Sequence, residues 1–220
     1  MNLTELIDLV WPMASDIPLI RVGGAGDGGY LIPDDLDGVS RVFSPGVGRK
    51  MEFEKYFLER GIPCSLIDGS IPSVPEEFDL ADFRSLWLEP QTGIGTISLS
   101  DWLEEFEEAG SDLILQMDIE GAEYQNVILT PDAALSRFRI IVLEIHDLGS
   151  ALTSSGHKLL KLLMGKLTKN HYVVHAHPNN CCSSLWNRGK EWPRVLELTL
   201  IRKDRTSVSG PVATLPHELD

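Results

Sequence analysis

Residues 113–123 read LILQMDIEGAE, a run of apolar side chains that passes into a segment with three acids. The apolar part, 113–117, is typical of a strand buried on both faces of a sheet. Residues 139–146 (RIIVLEIH) repeat the arrangement, with a glutamate and a histidine near the end of the run. Because polar side chains follow the carboxyl ends of both strands, the pair predicts the centre of a parallel sheet with a site at its edge.

Short apolar segments alternate with helical ones on both sides of this pair. The alternation predicts an α/β fold with a doubly wound, mostly parallel sheet of seven strands. The last two strands have no helix between them, so the last strand is expected to be antiparallel. The predicted strands lie around 42–43, 64–69, 85–88, 113–117, 139–146, 172–177 and 195–201; helices are predicted over 49–60, after a cap at Ser100 and over 157–169, with 178–193 irregular.

The composition limits the classes of partner. Of the 220 residues, 43% are hydrophobic, enough to bury a core and exclude global disorder. The chain has 19 Lys and Arg against 33 Asp and Glu, a net charge of −14, which disfavours nucleic-acid and anionic-membrane binding. No apolar run approaches the roughly 18 residues of a membrane span. Residues 1–10 carry two acids and no base, unlike a signal peptide, so we expect a cytoplasmic protein.

A glycine turn follows the first predicted strand. Residues 44–48 read SPGVG, and Asp68 closes the next strand, 20 residues after Gly48. Gly46 and Gly48 would let a ligand approach the backbone, and a carboxylate at Asp68 can accept both hydroxyls of a ribose, so the spacing predicts a nucleoside-containing cofactor. Met51 stands where a dinucleotide-binding turn would have a third glycine. The alternative is that the glycines only form a tight turn.

Acids and a histidine follow the two central strands. Side chains alternate along a strand, so Glu144 and His146 are expected to share a face and to meet Asp118 from the neighbouring strand. One use of these three residues is to bind Mg²⁺, and another is for His146 to act as a general base. The alternative is that Glu144 and His146 only hold loops. Glu123, already in the following helix, is predicted to be a bystander.

Two further segments are rich in glycine or in polar side chains. Residues 21–30 (RVGGAGDGGY) are more often a turn than a site. In 175–180 (HAHPNN), histidine rings and asparagine amides suit a ligand dense in hydroxyls, although Pro-Asn-Asn is also strong turn chemistry. The residues predicted to bind such a ligand are His177, Asn179, Asn180 and, on the next strand, Glu197.

These segments together resemble the class I S-adenosylmethionine-dependent methyltransferases and, more narrowly, the FkbM-type methyltransferases. The resemblance runs from about Arg21 to about Arg202, and the DIEGAE and LEIH segments are its most specific part. The segments that carry it are 27–30 (DGGY), 43–48 (FSPGVG), 53–54 (FE), 67–70 (IDGS), 117–123 (MDIEGAE), 142–146 (VLEIH), 175–180 (HAHPNN) and 196–199 (LELT).

The resemblance implies transfer of a methyl group from S-adenosylmethionine to an oxygen of a sugar or polyketide hydroxyl. Many relatives have an acid where this chain has Ser44-Pro45, so Asp27 or Asp118 is expected to hold the methionine ammonium group. The residues expected to contact the cofactor are Gly46, Gly48, Asp68, Asp27, Gly28, Tyr30 and Asp118.

The sequence therefore predicts an S-adenosylmethionine-dependent O-methyltransferase for a sugar, glycan or similar polyol-like small molecule. Its reaction centre would be Asp118, Glu144 and His146, with Mg²⁺ as a second cofactor if these residues bind it. Residues 1–220 would form one domain, in which 1–40 cover the cofactor site. The alternatives are an NAD-dependent oxidoreductase on the same fold and a catalytically silent binding module.

Overall fold

The computed structural model describes residues 3–26, 28–78, 81–106, 112–180, 182–187 and 189–220, and every structural statement below refers to these residues. A seven-stranded sheet forms the centre of the fold. Its strands, in chain order, are β1 (Val39–Pro45), β2 (Cys64–Ile67), β3 (Asp82–Arg84), β4 (Asp112–Met117), β5 (Phe138–Ile145), β6 (His171–Pro178) and β7 (Leu196–Arg202).

The strand order in the sheet is β6-β7-β5-β4-β1-β2-β3. Neighbours from β5 to β3 are parallel, whereas β7 lies antiparallel between β5 and β6. The predicted mostly parallel sheet with an antiparallel last strand is thus confirmed. The chain runs outward from β1 to β3 and then returns to the other side of β1, so the order reverses between β1 and β4. In sheets of this kind the carboxyl ends of the two strands at the reversal frame a ligand crevice.

Within the described residues, six helices accompany the sheet: α1 (Leu3–Val10), α2 (Glu52–Leu58), α3 (Leu99–Glu104), α4 (Glu123–Leu129), α5 (Asp132–Leu135) and α6 (Ser154–Leu167). Short 3₁₀ turns lie at Glu76–Phe78, Leu148–Leu152 and Lys203–Arg205. The helix α6 is amphipathic, with Leu160 and Leu163 buried and Leu162 exposed. Thr153 caps it by accepting the Gly156 N–H at 3.1 Å.

The sheet separates two hydrophobic cores. Odd-numbered side chains of β4 and β5, such as Leu115 and Leu143, pack with α3 and α6 on one face. Even-numbered ones, such as Ile114 and Val142, pack with α2 on the other. Because every residue of β5 is buried, its sequence is a largely apolar run, interrupted by Arg139 and Glu144, instead of an alternating pattern.

In the part of the chain that the structure describes, four two-stranded units lie outside the central sheet. The antiparallel pair Leu19–Val22 and Tyr30–Pro33, called the Tyr30 hairpin below, covers the second core and contacts β5 and β7. The other units are Met13–Ser15 with Val208–Pro211, Trp87–Leu88 with Thr96–Ile97, and Leu185–Asn187 with Lys190–Trp192.

Three local predictions were wrong. The third strand of the sheet is Asp82–Arg84, whereas Trp87–Leu88 pairs outside the sheet. The cap of α3 is Ser98, whose hydroxyl accepts the Asp101 N–H at 3.1 Å, so the helix begins before Ser100. The stretch predicted to be irregular contains a short hairpin, Leu185–Asn187 with Lys190–Trp192. Among the described helices, none has both the length and the apolar character that a membrane span requires.

Candidate functional site

A cleft of about 360 Å³ opens where the strand order reverses. Its floor is the glycine turn after β1, and Asp118, the first residue after β4, forms one wall. Gly46 has a φ of +82°, and a Cβ there would overlap the backbone carbonyl of Asp118. Only glycine therefore allows the two loops to approach this closely.

The N-terminal segment forms another wall of this cleft. Gly28, in the connection between the two strands of the Tyr30 hairpin, and Tyr30 line it. Their predicted contact with a cofactor stays a prediction. Asp27, predicted alongside them, lies outside the described residues. Two cationic residues, Arg49 and Lys50, contribute to the rim where the glycine turn leads into α2.

Asp68 holds the glycine turn in place. One oxygen of its carboxylate accepts the Gly48 N–H at 2.8 Å. The other accepts the backbone N–H of Ser70 at 2.7 Å and its hydroxyl at 2.6 Å. Asp68 thus stabilises the floor of the cleft through Gly48, and the predicted contact with a ribose stays a prediction.

A row of polar side chains crosses the sheet face under the Tyr30 hairpin. The strand register places Glu197 of β7 opposite both Glu144 of β5 and His177 of β6. Ser44 of β1 and Gln116 of β4 extend the row, with the Ser44 hydroxyl donating to Gln116 Oε1 at 2.6 Å. All five side chains point to the same face because each occupies a matching position in the register.

Hydrogen bonds link this row to α2 and to the Tyr30 hairpin. Ser44 Oγ lies 2.5 Å from Glu54 Oε1, and the Gln116 amide donates to the Tyr30 oxygen at 3.3 Å. The Tyr30 hydroxyl in turn donates to Glu144 Oε1 at 2.8 Å. Burial and the nearby charge of Glu144 raise the pKa of Tyr30, so its hydroxyl keeps the proton that it donates. The buried chain runs continuously from Glu54 to Glu144.

A second cluster surrounds His146. The Nδ1 atom of His146 lies 3.0 Å from Glu123 Oε1, and its Nε2 atom lies 3.7 Å from Asp118 Oδ1 and 3.6 Å from Glu120 Oε2. Glu123 was predicted to be a bystander, but its fully buried carboxylate also accepts the N–H groups of Ile119 and Gly121. It therefore fixes both the loop after β4 and the orientation of the imidazole.

Charge in this cluster shifts two pKa values. Burial alone would lower the pKa of His146, but the hydrogen bond to Glu123 and the charges of Glu123, Asp118 and Glu120 raise it to about 9. Burial and the charge of Glu144 raise the pKa of Asp118 to about 7, although His146 opposes this shift. The imidazole consequently carries a proton at neutral pH, where an unperturbed histidine is mostly neutral.

Of the predicted group Asp118, Glu144 and His146, the structure brings Asp118 and His146 together and gives Glu144 other hydrogen-bond partners. Glu144 lies within β5, and its carboxylate accepts the Tyr30 hydroxyl and the Asn179 amide, the latter at 2.9 Å. His146 follows the end of the strand, just before Asp147 with its positive φ, and turns toward α4. The ligand atoms that lie within 4.8 Å of one another belong to Asp118, Glu120 and His146.

The residues predicted to bind an acceptor fall into two groups. His177, Asn180 and Glu197 line a separate cavity of about 40 Å³, too small for a sugar ring. Asp220 closes this cavity, with one carboxylate oxygen 2.9 Å from His175 Nε2 and the other 3.4 Å from His177 Nδ1. Burial lowers the pKa of His175 to about 4 despite this contact.

The fourth residue of that set, Asn179, belongs to the hydrogen-bond chain of the main site. Its amide donates to Glu144 Oε2, and its side chain is buried. The predicted acceptor residues therefore do not converge on one cavity in this conformation.

Comparison with known proteins identifies a family over part of the chain. Residues 75–177 match the model described as the methyltransferase FkbM domain, which confirms the resemblance over this range. The match includes Asp118, Glu144 and His146, and it begins after Asp68 and the glycine turn.

Curated proteins and solved structures were compared with the whole chain. No curated protein matches the chain significantly. One similar solved structure comes from work on the conversion of a disulfide bond into a thioacetal group during echinomycin biosynthesis; it is 14% identical, covers 74% of this chain and 75% of its own, and has a TM-score of 0.37.

Proposed function

We propose that this chain, whose residues 75–177 match the FkbM methyltransferase domain, is an S-adenosylmethionine-dependent O-methyltransferase. The acceptor we propose is a hydroxyl of a sugar, glycan or similar polyol-like molecule. The observation that carries the proposal is the cleft at the reversal of the strand order, between the glycine turn and Asp118. Its polar side chains and backbone groups suit a ligand with a nucleoside, a carboxylate and cationic groups.

The cleft fits this cofactor in size and in charge. Its volume of about 360 Å³ falls within the range of about 300–1,000 Å³ that small-molecule sites occupy. Glu54, Asp118 and Glu120 line it and bring negative charge to a ligand that carries a sulfonium and an ammonium group. Arg49 and Lys50 at the rim suit the ligand's carboxylate.

Proton transfer is assigned to the His146 cluster. S-adenosylmethionine, when bound, supplies the methyl group that the acceptor oxygen attacks. His146 takes the proton of the acceptor hydroxyl at Nε2, while Glu123 stabilises the resulting imidazolium through Nδ1. His146 must first lose the proton that it holds in the free protein, and a cationic ligand in the adjoining cleft favours that loss by electrostatic repulsion.

A metal ion fits this cluster less well. Mg²⁺ prefers oxygen ligands in octahedral geometry, whereas the cluster offers two carboxylates, of which Glu120 is largely exposed, and an imidazole that already binds a proton. The carboxylate of Glu144, which the sequence predicted as a metal ligand beside Asp118 and His146, is hydrogen-bonded to Tyr30 and Asn179. We therefore derive no step through Mg²⁺.

Removal of metal ions by a chelator distinguishes a mechanism that needs Mg²⁺ from one in which His146 accepts the proton without a metal. We expect the rate of methyl transfer to stay within twofold after dialysis against EDTA, because His146 accepts the proton without a metal. The measurement is the initial rate before dialysis, after dialysis and after the return of Mg²⁺. If activity were lost in EDTA and recovered when Mg²⁺ was returned, the mechanism would be metal-dependent.

Calorimetric titration tests the proposed function itself. We expect S-adenosylhomocysteine, the product form of the cofactor, to bind at micromolar concentration and NAD not to bind. The fold is checked in parallel by circular dichroism. Binding of NAD alone would favour the oxidoreductase alternative, and cofactor binding without methyl transfer to any polyol acceptor would favour the silent module.

A further inference from the structure

The buried carboxyl group of Glu54 has no counter-charge among the residues that the structure describes. Glu54 lies in the first turn of α2, is only 3% exposed and lines the cleft. Among the described residues, no lysine, arginine or histidine is near enough to influence its ionisation; its polar contacts are Ser44 and its own backbone. Burial of a carboxylate without a cation is costly, so the group is expected to serve a partner that the protein alone does not provide.

The other acids of the cleft differ from Glu54 in this respect. Asp118 and Glu120 both lie within 4 Å of the imidazole of His146, which carries a positive charge at neutral pH. Both acids therefore have a cation close by within the protein, whereas Glu54 has none among the described residues. Glu54 instead lies on α2, with its carboxyl group beside Ser44 near the end of β1.

We propose that Glu54 supplies the negative charge that binds the ammonium group on the methionine part of the cofactor. This inference rests on the proposed function, and it replaces Asp27 and Asp118 in the role that the sequence suggested for them. Near the end of β1 this chain has Ser44, where many relatives have an acid. The hydrogen bond between Ser44 and Glu54 places the carboxyl group of α2 at this end of the strand.

The hydrogen bonds around Ser44 indicate the protonation state of the Glu54 carboxyl group in the absence of a ligand. Ser44 Oγ lies 2.5 Å from Glu54 Oε1 and 2.6 Å from Gln116 Oε1, but a hydroxyl has only one proton to donate. A protonated Glu54 resolves this, because it donates to Ser44 while Ser44 donates to Gln116. Burial raises the pKa of Glu54 to about 7, which agrees with this arrangement.

Two ligands that differ in the amino-acid part provide the test. S-adenosylhomocysteine carries the ammonium group, whereas 5′-methylthioadenosine has the adenosine and the sulfur without it. We expect Glu54→Gln to weaken S-adenosylhomocysteine at least tenfold and to leave 5′-methylthioadenosine within twofold. The matched control is Glu59→Gln, the same charge change at an exposed position at the end of α2, which should alter neither affinity.

Other outcomes of the titrations contradict the proposal. Equal losses for both ligands would show that Glu54 only supports the cleft, and an unchanged affinity for S-adenosylhomocysteine would show that it does not contact the ammonium group. A selective loss in Asp118→Asn instead would assign the role to Asp118. If the unmodified protein bound neither ligand, the proposed function itself would fail, which is a separate result.

A measurement on the unmodified protein covers the case in which Glu54→Gln does not fold. Calorimetry at pH 7 in two buffers of different ionisation enthalpy gives the number of protons released on binding. We expect S-adenosylhomocysteine to release a fraction of a proton, because its ammonium group favours the ionised form of Glu54, and 5′-methylthioadenosine to release less. Equal proton release for the two ligands would overturn the proposal.

Discussion

Replacement of His146 by glutamine is expected to lower kcat for the proposed methyl transfer by 10²- to 10⁴-fold. General bases contribute factors of this size, and glutamine keeps a polar side chain of similar length but cannot accept a proton at neutral pH. The affinity for S-adenosylhomocysteine should change by less than threefold, because His146 does not line the cofactor cleft. The measurements are the rate at saturating cofactor and the calorimetric Kd.

A second histidine provides the control for this substitution. His157 lies on α6 and contacts Glu5, away from the cleft, so His157→Gln should leave the rate unchanged. If His146→Gln retained more than a tenth of the activity while binding the cofactor normally, the proton would have to leave through another group, such as Asp118.

The same assignment sets the direction of the pH dependence. The pKa of His146 is raised to about 9, and a general base must be deprotonated, so kcat/KM should rise from pH 6.5 toward pH 9. The acids that raise this pKa surround the imidazole: Glu123 at Nδ1, with Asp118 and Glu120 at Nε2. A profile that is flat over this interval would argue against His146 as the base.

The sequence predicted the centre of the fold well and its periphery poorly. The strands β4 and β5 are buried on both faces, so their sequences are largely apolar and easy to recognise. The edge strand β3 is short and half-exposed, with Asp82 and Arg84 on either side of Phe83, so it has no apolar run to recognise. The Tyr30 hairpin was predicted only as a loose turn because of its glycine-rich connection.

The sequence analysis selected candidate site residues where polar side chains or glycines follow the carboxyl end of a predicted strand. Asp118 and the glycine turn line one cleft, and His146 adjoins them, since all follow the carboxyl ends of neighbouring strands. The orientation of Glu144 was not predictable, because it depends on Tyr30, which the chain brings over the sheet from 114 residues away. The alternation of side chains along β5 predicted the face of the sheet on which Glu144 lies, but not its hydrogen bond to Tyr30.

Three functional candidates received no role in the sequence analysis, and one of them, Glu123, was predicted to be a bystander. Glu54, Glu120 and Glu123 each lie on a helix or in a loop, where a single acid has no distinctive spacing. Glu54 did belong to the Phe53-Glu54 pair that contributes to the family resemblance. Glu54 would stand out as an acid on the buried face of a helix. Which face of α2 is buried becomes clear only from the packing of this helix on the sheet.

Substitution of Gly46 by alanine is expected to destabilise the protein by about 4 kcal/mol or more, at the upper end of single-residue effects. A Cβ at this position would overlap the carbonyl of Asp118, and the φ of +82° already disfavours any other residue. Relief of the overlap would separate β1 from β4. The Gly46 N–H also donates to Ile67 O at 2.9 Å, so movement of the turn would break a link to β2 as well.

The neighbouring glycine offers a matched comparison for this prediction. Gly48 also has a positive φ, +57°, but a Cβ there would have no atom within 4 Å. Gly48→Ala should therefore cost only the backbone strain, about 1–2 kcal/mol. Urea unfolding of both variants measures the difference. If the two substitutions lowered the free energy of unfolding equally, the close approach of Gly46 to Asp118 would not be what fixes the geometry of the cleft; a much larger loss for Gly46→Ala ties the glycine turn to the junction of β1 and β4.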